Sequence, residues 1–340
     1  MPENAQDKEE EIEMNNSNYR KTIYNKAFIE QRADPYIFRH GDGAYYFTAS
    51  VPEYDKIILR RSDTLEGLKN AEEAVLWRKH ESGAQSIHVW APEIHYLDGN
   101  WYIYYAAGDK DDVWEIRPYV LRCTGQDPMK DPWEEMGMMQ AAEDDKFSFH
   151  DFSLDATIFE NKGEKYYIWA EKTGVGKKIS NLYIARMESP VRLATAQVLL
   201  TTPDYDWERV DFWVNEGPAV LKHDGKIFMT FSASATGACY CMGLMYIDEE
   251  ADVLDPHAWT KLRYPVLQTD EEKGIYGPGH NSFVKAQDGI TDLCVYHARQ
   301  YDEIIGDPLY DPNRHAMVMK VEYDEKGFPV FSYKNNIEMN

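Results

Sequence analysis

Three acidic residues of this chain enter apolar strands at recurring places: Asp34 in RADPYIF, Asp155 in LDATIF and Glu216 in NEGPAV. One Asp or Glu at a strand start is an ordinary turn or cap residue. Three at matching points of a repeat are harder to assign to structure. Like charges gathered in a partly dry cavity raise one another's pKa, and a structural role gives no reason to accept that cost. Several carboxylates flanked by aromatic side chains suit acetal hydrolysis. One carboxylic acid protonates the leaving oxygen, one carboxylate activates water or attacks carbon, and a third negative charge holds the acid protonated. The chain has no GxSxG elbow, P-loop, HExxH or GxGxxG to support a competing chemistry.

The elements that must position these residues recur five times. Each unit is a short apolar strand, a glycine-containing turn and a strand rich in aromatic and small residues. The instances are DPYIFRHGDGAYYFTAS from Asp34, APEIHYLDGNWYIYYAA from Ala91, DATIFENKGEKYYIWAE from Asp155, EGPAVLKHDGKIFMTFSAS from Glu216 and HNSFVKAQDGITDLCVYHA from His280. Successive starts lie 57, 64, 61 and 64 residues apart. DG and KG turns between strands signal hairpins. A long fixed period holding one hairpin predicts an all-β fold, a five-bladed β-propeller in a single domain. A β-sandwich also contains hairpins but gives no reason for the period. We read residues 1–20 as an acidic, disordered leader and residues 21–340 as the propeller. In a propeller the first strand of each blade lines the channel, so Asp34, Ala91, Asp155, Glu216 and His280 are expected to converge at one end of the axis.

Composition sets bounds on partners. The formal net charge is −23, which repels phosphate backbones and anionic lipid and so predicts neither nucleic-acid nor membrane partners. Aromatic residues make up 14% of the chain, enough for the walls of a sugar site, although strands also use them. The four cysteines show neither a zinc spacing nor a disulfide framework. With an acidic N-terminus that lacks an apolar run, this predicts a cytoplasmic protein with buried free thiols. Short imported oligosaccharides would then be its substrates.

Taken together, RADPYIF, WAPEI, LDATIF, NEGPAV, GPGHNSF and VYHAR, in this order and spacing, resemble family 43 of the glycoside hydrolases. The resemblance implies a five-bladed propeller and an inverting mechanism. Asp34 would be the general base, Glu216 the general acid, and Asp155 would orient the sugar and raise the acid's pKa. An inverting pair is expected to stand about 6.5–9.5 Å apart, leaving room for a water. His280 would face calcium or another ion on the axis; no organic cofactor is implied. Trp90 would wall the pocket, Arg299 would reach the sugar, and His88 would point into the pocket beside Trp90. Glu93 is read as structural.

Segments such as FTASVPEYDKIILRRSDT and YDEIIGDPLYDPNRH look most like α-L-arabinofuranosidases, including exo-acting enzymes on α-1,5-arabinan. Arabinan, arabinoxylan and arabino-oligosaccharides are then the expected substrates. Two rival readings within the family are β-xylosidase and endo-arabinanase. A rival from another class is a non-catalytic sugar-binding propeller, against which the three carboxylates argue.

Overall fold

The computed structural model describes residues 26–173 and 179–337; the leader read at residues 1–20 lies outside them. The chain forms five antiparallel blades. Blade one comprises β1 (Ala33–Arg39), β2 (Tyr45–Ser50), β3 (Lys56–Ser62) and β4 (Glu73–Arg78), and blade two comprises β5 (Ile87–Leu97), β6 (Asn100–Asp109), β7 (Asp112–Cys123) and β8 (Glu134–Met138). Blade three is built from β9 (Ser153–Asn161), β10 (Glu164–Thr173) and β11 (Ile179–Ser189), with the short β12 (Arg192–Leu193) and β13 (Val198–Thr201) both pairing β11. Blade four runs β14 (Asn215–His223), β15 (Lys226–Ala233), β16 (Cys241–Asp248) and β17 (Thr260–Lys261). Blade five runs β18 (Tyr276–Lys285), β19 (Asp292–Arg299) and β20 (His315–Lys320), followed by a small hairpin of β21 (Glu322–Tyr323) and β22 (Pro329–Val330).

The first strands form a ring. β1 packs on β5 and β18, β5 on β9, β9 on β14, and β14 on β18, so all five face one axis. Closure comes from the two ends of the described chain. Phe28 N–H donates to Ala316 O at 2.7 Å and Ala316 N–H donates to Ile29 O at 2.9 Å, which gives blade five its outer partner. Neighbouring blades are joined by apolar cores whose largest fully buried members include Trp101, Trp169 and Phe228. Burial of rings of this size is the main favourable contribution to such a fold. The hairpin glycines from Gly43 to Gly289 take positive φ in all five blades, as their place in tight turns requires.

One irregularity recurs in every first strand. Ala33 pairs Ser50 but Tyr36 pairs Thr48; Trp90 pairs Ala106 but Glu93 pairs Tyr104. Leu154, Glu216 and Gly279 begin the same shift in blades three, four and five. In each case the inner strand carries one more residue than its partner, which is a β-bulge. The residue just after the shift is left-handed every time: Asp34 (φ 51°), Ala91 (46°), Asp155 (55°), Gly217 (54°) and His280 (44°). For a residue with a Cβ this costs about 1–2 kcal/mol, and such strain gathers at functional sites.

The bulges correct one sequence reading. Glu216 is not level with Asp34 and Asp155; Gly217 is. Glu216 stands one residue earlier, level with Ala33, Trp90, Leu154 and Gly279. Matching the blades by carboxylate had slipped blade four by one position, because a bulge leaves no mark in residue type.

Candidate active site

The offset makes two tiers. Asp34, Asp155 and His280 come from bulge positions, whereas Trp90, Leu154 and Glu216 come from the position before. All six line one cavity of about 530 Å³, with Trp114, Phe152, Lys172, Phe212, Leu309 and Arg314 among its other walls.

Asp34 is the most tightly held carboxylate. Its Oδ2 accepts the Ser50 hydroxyl at 2.6 Å, and Ser50 Oγ in turn accepts the Ala91 N–H at 2.8 Å, tying blade one to blade two. Its Oδ1 faces His280 Nδ1 at 3.2 Å and Arg314 Nη1 at 3.5 Å. Its own N–H donates to His297 Nδ1 at 3.1 Å. That bond makes Nδ1 an acceptor, so the His297 proton sits on Nε2. Burial alone would push the Asp34 carboxyl up, but the charges of His280 and Arg314 prevail and hold it well below the usual carboxylate range. Burial, with the charges of Arg314 and His280, outweighs the pull of Asp34 on His297 and pushes it down to about 3, so it stays neutral.

The other two carboxyls shift the opposite way. Burial raises Asp155 well above its ordinary value, and the charges of Glu216 and Asp34 add to this against the pull of His280. Burial likewise raises Glu216, opposed by His280, the Tyr240 hydroxyl and the Lys172 ammonium. Asp155 and Glu216 interact, so the pair titrates as a unit and retains a proton beyond the range of a free carboxylic acid. Asp155 Oδ2 accepts the Gly217 N–H at 3.2 Å and lies 3.7 Å from His280 Nδ1. Glu216 Oε1 accepts the Tyr240 hydroxyl at 2.8 Å. Burial opposes a charge on His280, but the surrounding carboxylates, Asp34 foremost, raise its pKa. A site with one firmly ionised carboxylate and another that keeps its proton can act as base and acid together.

Of the expected sugar-binding residues, Trp90 lines the cavity. His88 does not: it lies behind, stacked between Trp90 and Trp114 with ring centroids 4.5 and 5.3 Å away. Its nitrogens are engaged by Val113 O at 2.9 Å and the Tyr310 hydroxyl at 3.0 Å, so it braces the aromatic wall. Arg299 does not reach the cavity either. Its guanidinium is spent on Asp311 Oδ1 (3.1 Å), Thr236 O (2.6 Å) and Pro308 O (2.6 Å), holding two wall segments together from behind. The arginine at the cavity is Arg314, which also donates to the Tyr54 hydroxyl at 2.6 Å. Glu93 pairs with His95 at 3.0 Å on β5, buried and outside the cavity lining.

The side chains around His280 do not by themselves make a calcium shell. Calcium takes roughly six to eight oxygen ligands, whereas His280 offers nitrogen and turns Nδ1 to Asp34 and Asp155. Among the described residues no group of three or more His, Cys, Asp or Glu side chains is arranged to hold a metal.

Comparison with known proteins accords with this geometry. The extracellular exo-α-(1→5)-L-arabinofuranosidase of Streptomyces chartreusis is 48% identical over 289 residues, 85% of this chain and 86% of that protein. The protein of the same description from Streptomyces avermitilis is 46% identical over 308 residues, 91% of this chain. The match spans 63% of that relative's length. The crystal structure of an α-L-arabinofuranosidase from Lactobacillus brevis, 50% identical, superposes with a TM-score of 0.84 over 90% of this chain and 95% of that one. Two of these relatives are described as extracellular, which overturns the cytoplasmic expectation. The unpaired thiols were no guide to compartment: Cys123, Cys241 and Cys294 are buried, and burial pushes the Cys241 thiol up to about 12, so these thiols are unreactive wherever the protein resides. The family model of the glycosyl hydrolases family 43 matches residues 24–329, and the chain belongs to that family.

Proposed function

We propose that the chain is an inverting, exo-acting α-L-arabinofuranosidase that releases terminal arabinofuranose from arabinan, arabinoxylan or their oligosaccharides. The observation that carries this reading is the divergence of two carboxyls in one cavity, Asp34 held low and Glu216 held high. Asp34 takes a proton from water as the water oxygen bonds to the anomeric carbon. The bond from that carbon to the leaving oxygen breaks, and Glu216 gives its proton to that oxygen. Asp155, anchored by Gly217 N–H, favours the protonated form of Glu216 and faces the sugar. The descriptions of the relatives support the sugar and the exo mode.

Exo action has a further support in the segment between β19 and β20. Tyr54 donates to Leu309 O at 2.5 Å from blade one, His88 meets the Tyr310 hydroxyl from blade two, and Arg299 holds Pro308 O from blade five. Pinned from three blades, this segment walls one side of the cavity, which suits a chain end better than a chain interior. The relatives' extracellular descriptions support action on polymer outside the cell as well as on fragments. Aryl α-L-arabinofuranoside is expected to be cleaved in preference to aryl β-D-xyloside, with arabinose as the only sugar released from arabinan and almost no turnover by Asp34→Ala. Equal turnover by Asp34→Ala and the parent, or release of oligosaccharides from arabinan, would contradict the proposal.

A further inference from the structure

Base and acid are joined by a route outside the cavity floor. Asp34 N–H donates to His297 Nδ1 at 3.1 Å. The His297 ring lies against that of Tyr240, 5.6 Å between centroids and 8° from parallel. The Tyr240 hydroxyl donates to Glu216 Oε1 at 2.8 Å. His297 and Tyr240 are each only 1% exposed, so neither can swing away.

The space for the Tyr240 ring is made by Gly279, at the bulge-start position of blade five. A Cβ there would stand 2.5 Å from Tyr240 Cε1 and 2.6 Å from Cδ1, closer than any carbon contact allows. The second glycine of GPGHNSF is thus explained by the ring it admits.

We propose that Tyr240 is the positioning residue of the general acid: by occupying Oε1 it leaves the Glu216 proton on Oε2, and its stack on His297 fixes that carboxyl relative to Asp34. The chemistry is directional. A phenol that donates to Oε1 disfavours a proton on the same oxygen, so the transferable proton faces away from Tyr240, toward the leaving oxygen. The flat contact with His297 sets how far the acid stands from the base, the quantity on which inversion depends. The inference rests on the proposed arabinofuranosidase reading and adds a residue to it.

Tyr240→Phe keeps the ring and removes only the hydroxyl. Turnover of phenyl and 2,4-dinitrophenyl α-L-arabinofuranosides should separate, because an activated leaving group needs little protonation. We expect kcat to fall about tenfold or more on the phenyl substrate and less than about threefold on the dinitrophenyl one. Gly279→Ala, which crowds the ring without touching the hydroxyl, should show the same asymmetry. The alkaline limb of kcat/KM for Tyr240→Phe should also move up, since the lost hydrogen bond favoured the anion. Equal losses on both substrates, or no loss on either, would overturn the role of Tyr240 while leaving the parent's activity intact. A parent inactive on both substrates would instead overturn the arabinofuranosidase reading itself, and this inference with it.

Discussion

Asp155 Oδ2 accepts the backbone N–H of Gly217 at 3.2 Å. The carboxylate of blade three is thereby tied to the residue that follows the carboxylate of blade four. Gly217 is left-handed, and a Cβ on it would lie 3.2 Å from the His280 ring. The contact explains why blade four has glycine at the bulge where blades one, three and five have Asp34, Asp155 and His280.

Gly217→Ala is therefore expected to destabilise the protein by about 1–2 kcal/mol through the left-handed backbone alone, with further loss from crowding His280. Thermal unfolding measures the first effect and kcat the second. A variant as stable and as active as the parent would show that the bulge tolerates a side chain.

Under the proposed mechanism, the pH dependence follows from the two directions of shift. Asp34 must be ionised, and its carboxyl is held low, so the acid limb of kcat/KM should lie below the ordinary carboxylate range. The Glu216–Asp155 pair must keep a proton, and both are raised, so the alkaline limb should lie above the ordinary value for Glu. Asp155→Asn removes a negative neighbour, so Glu216 loses its proton more readily and the alkaline limb moves down. Lys172→Met removes a positive neighbour, and the limb moves up. Limbs that move together in both variants would contradict this assignment of charges.

Arg299 holds the wall from behind, so Arg299→Ala should act through the segment from Tyr301 to Arg314 instead of through a lost sugar contact. Removing three hydrogen bonds from a guanidinium that is 1% exposed should cost about 3 kcal/mol. Limited proteolysis should cut that segment faster than in the parent, and KM should rise. Unchanged proteolysis with a raised KM would mean that Arg299 touches the sugar after all.

Trp114 shares the aromatic wall with Trp90 through His88, and half of its surface is open to solvent. His88→Ala removes the ring between them and the bond to Tyr310. We expect a several-fold rise in KM for arabino-oligosaccharides with little change in kcat, read from initial rates. A fall confined to kcat would place His88 nearer the reacting atoms.

The repeat was legible because its marks are local: a glycine turn and an apolar strand on either side recur wherever the chain makes a hairpin. Asp34, Asp155 and His280 could be read for the same reason, since each begins such a strand. Glu216 was found by type but placed one residue out, because the bulge that shifts it is a matter of pairing between strands. Arg314, Tyr240 and Lys172 were missed, since none sits at the repeat position: Arg314 and Lys172 reach the cavity from the loop before β20 and from β10, and Tyr240 meets Glu216 from the loop before β16. The one available signal was the DPNRH segment, which contains Arg314 but names no role for it. Arg299 and His88 lie one layer too deep. Sequence places such residues near a site but not on its surface.

The central claim is that Asp34 drives a water onto the anomeric carbon from the side opposite Glu216. Proton NMR of the first-formed sugar tests it most directly. During hydrolysis of an aryl α-L-arabinofuranoside, β-L-arabinofuranose should appear before mutarotation brings in the other forms. If α-L-arabinofuranose appears first, configuration is retained and Asp34 does not act as a general base on water.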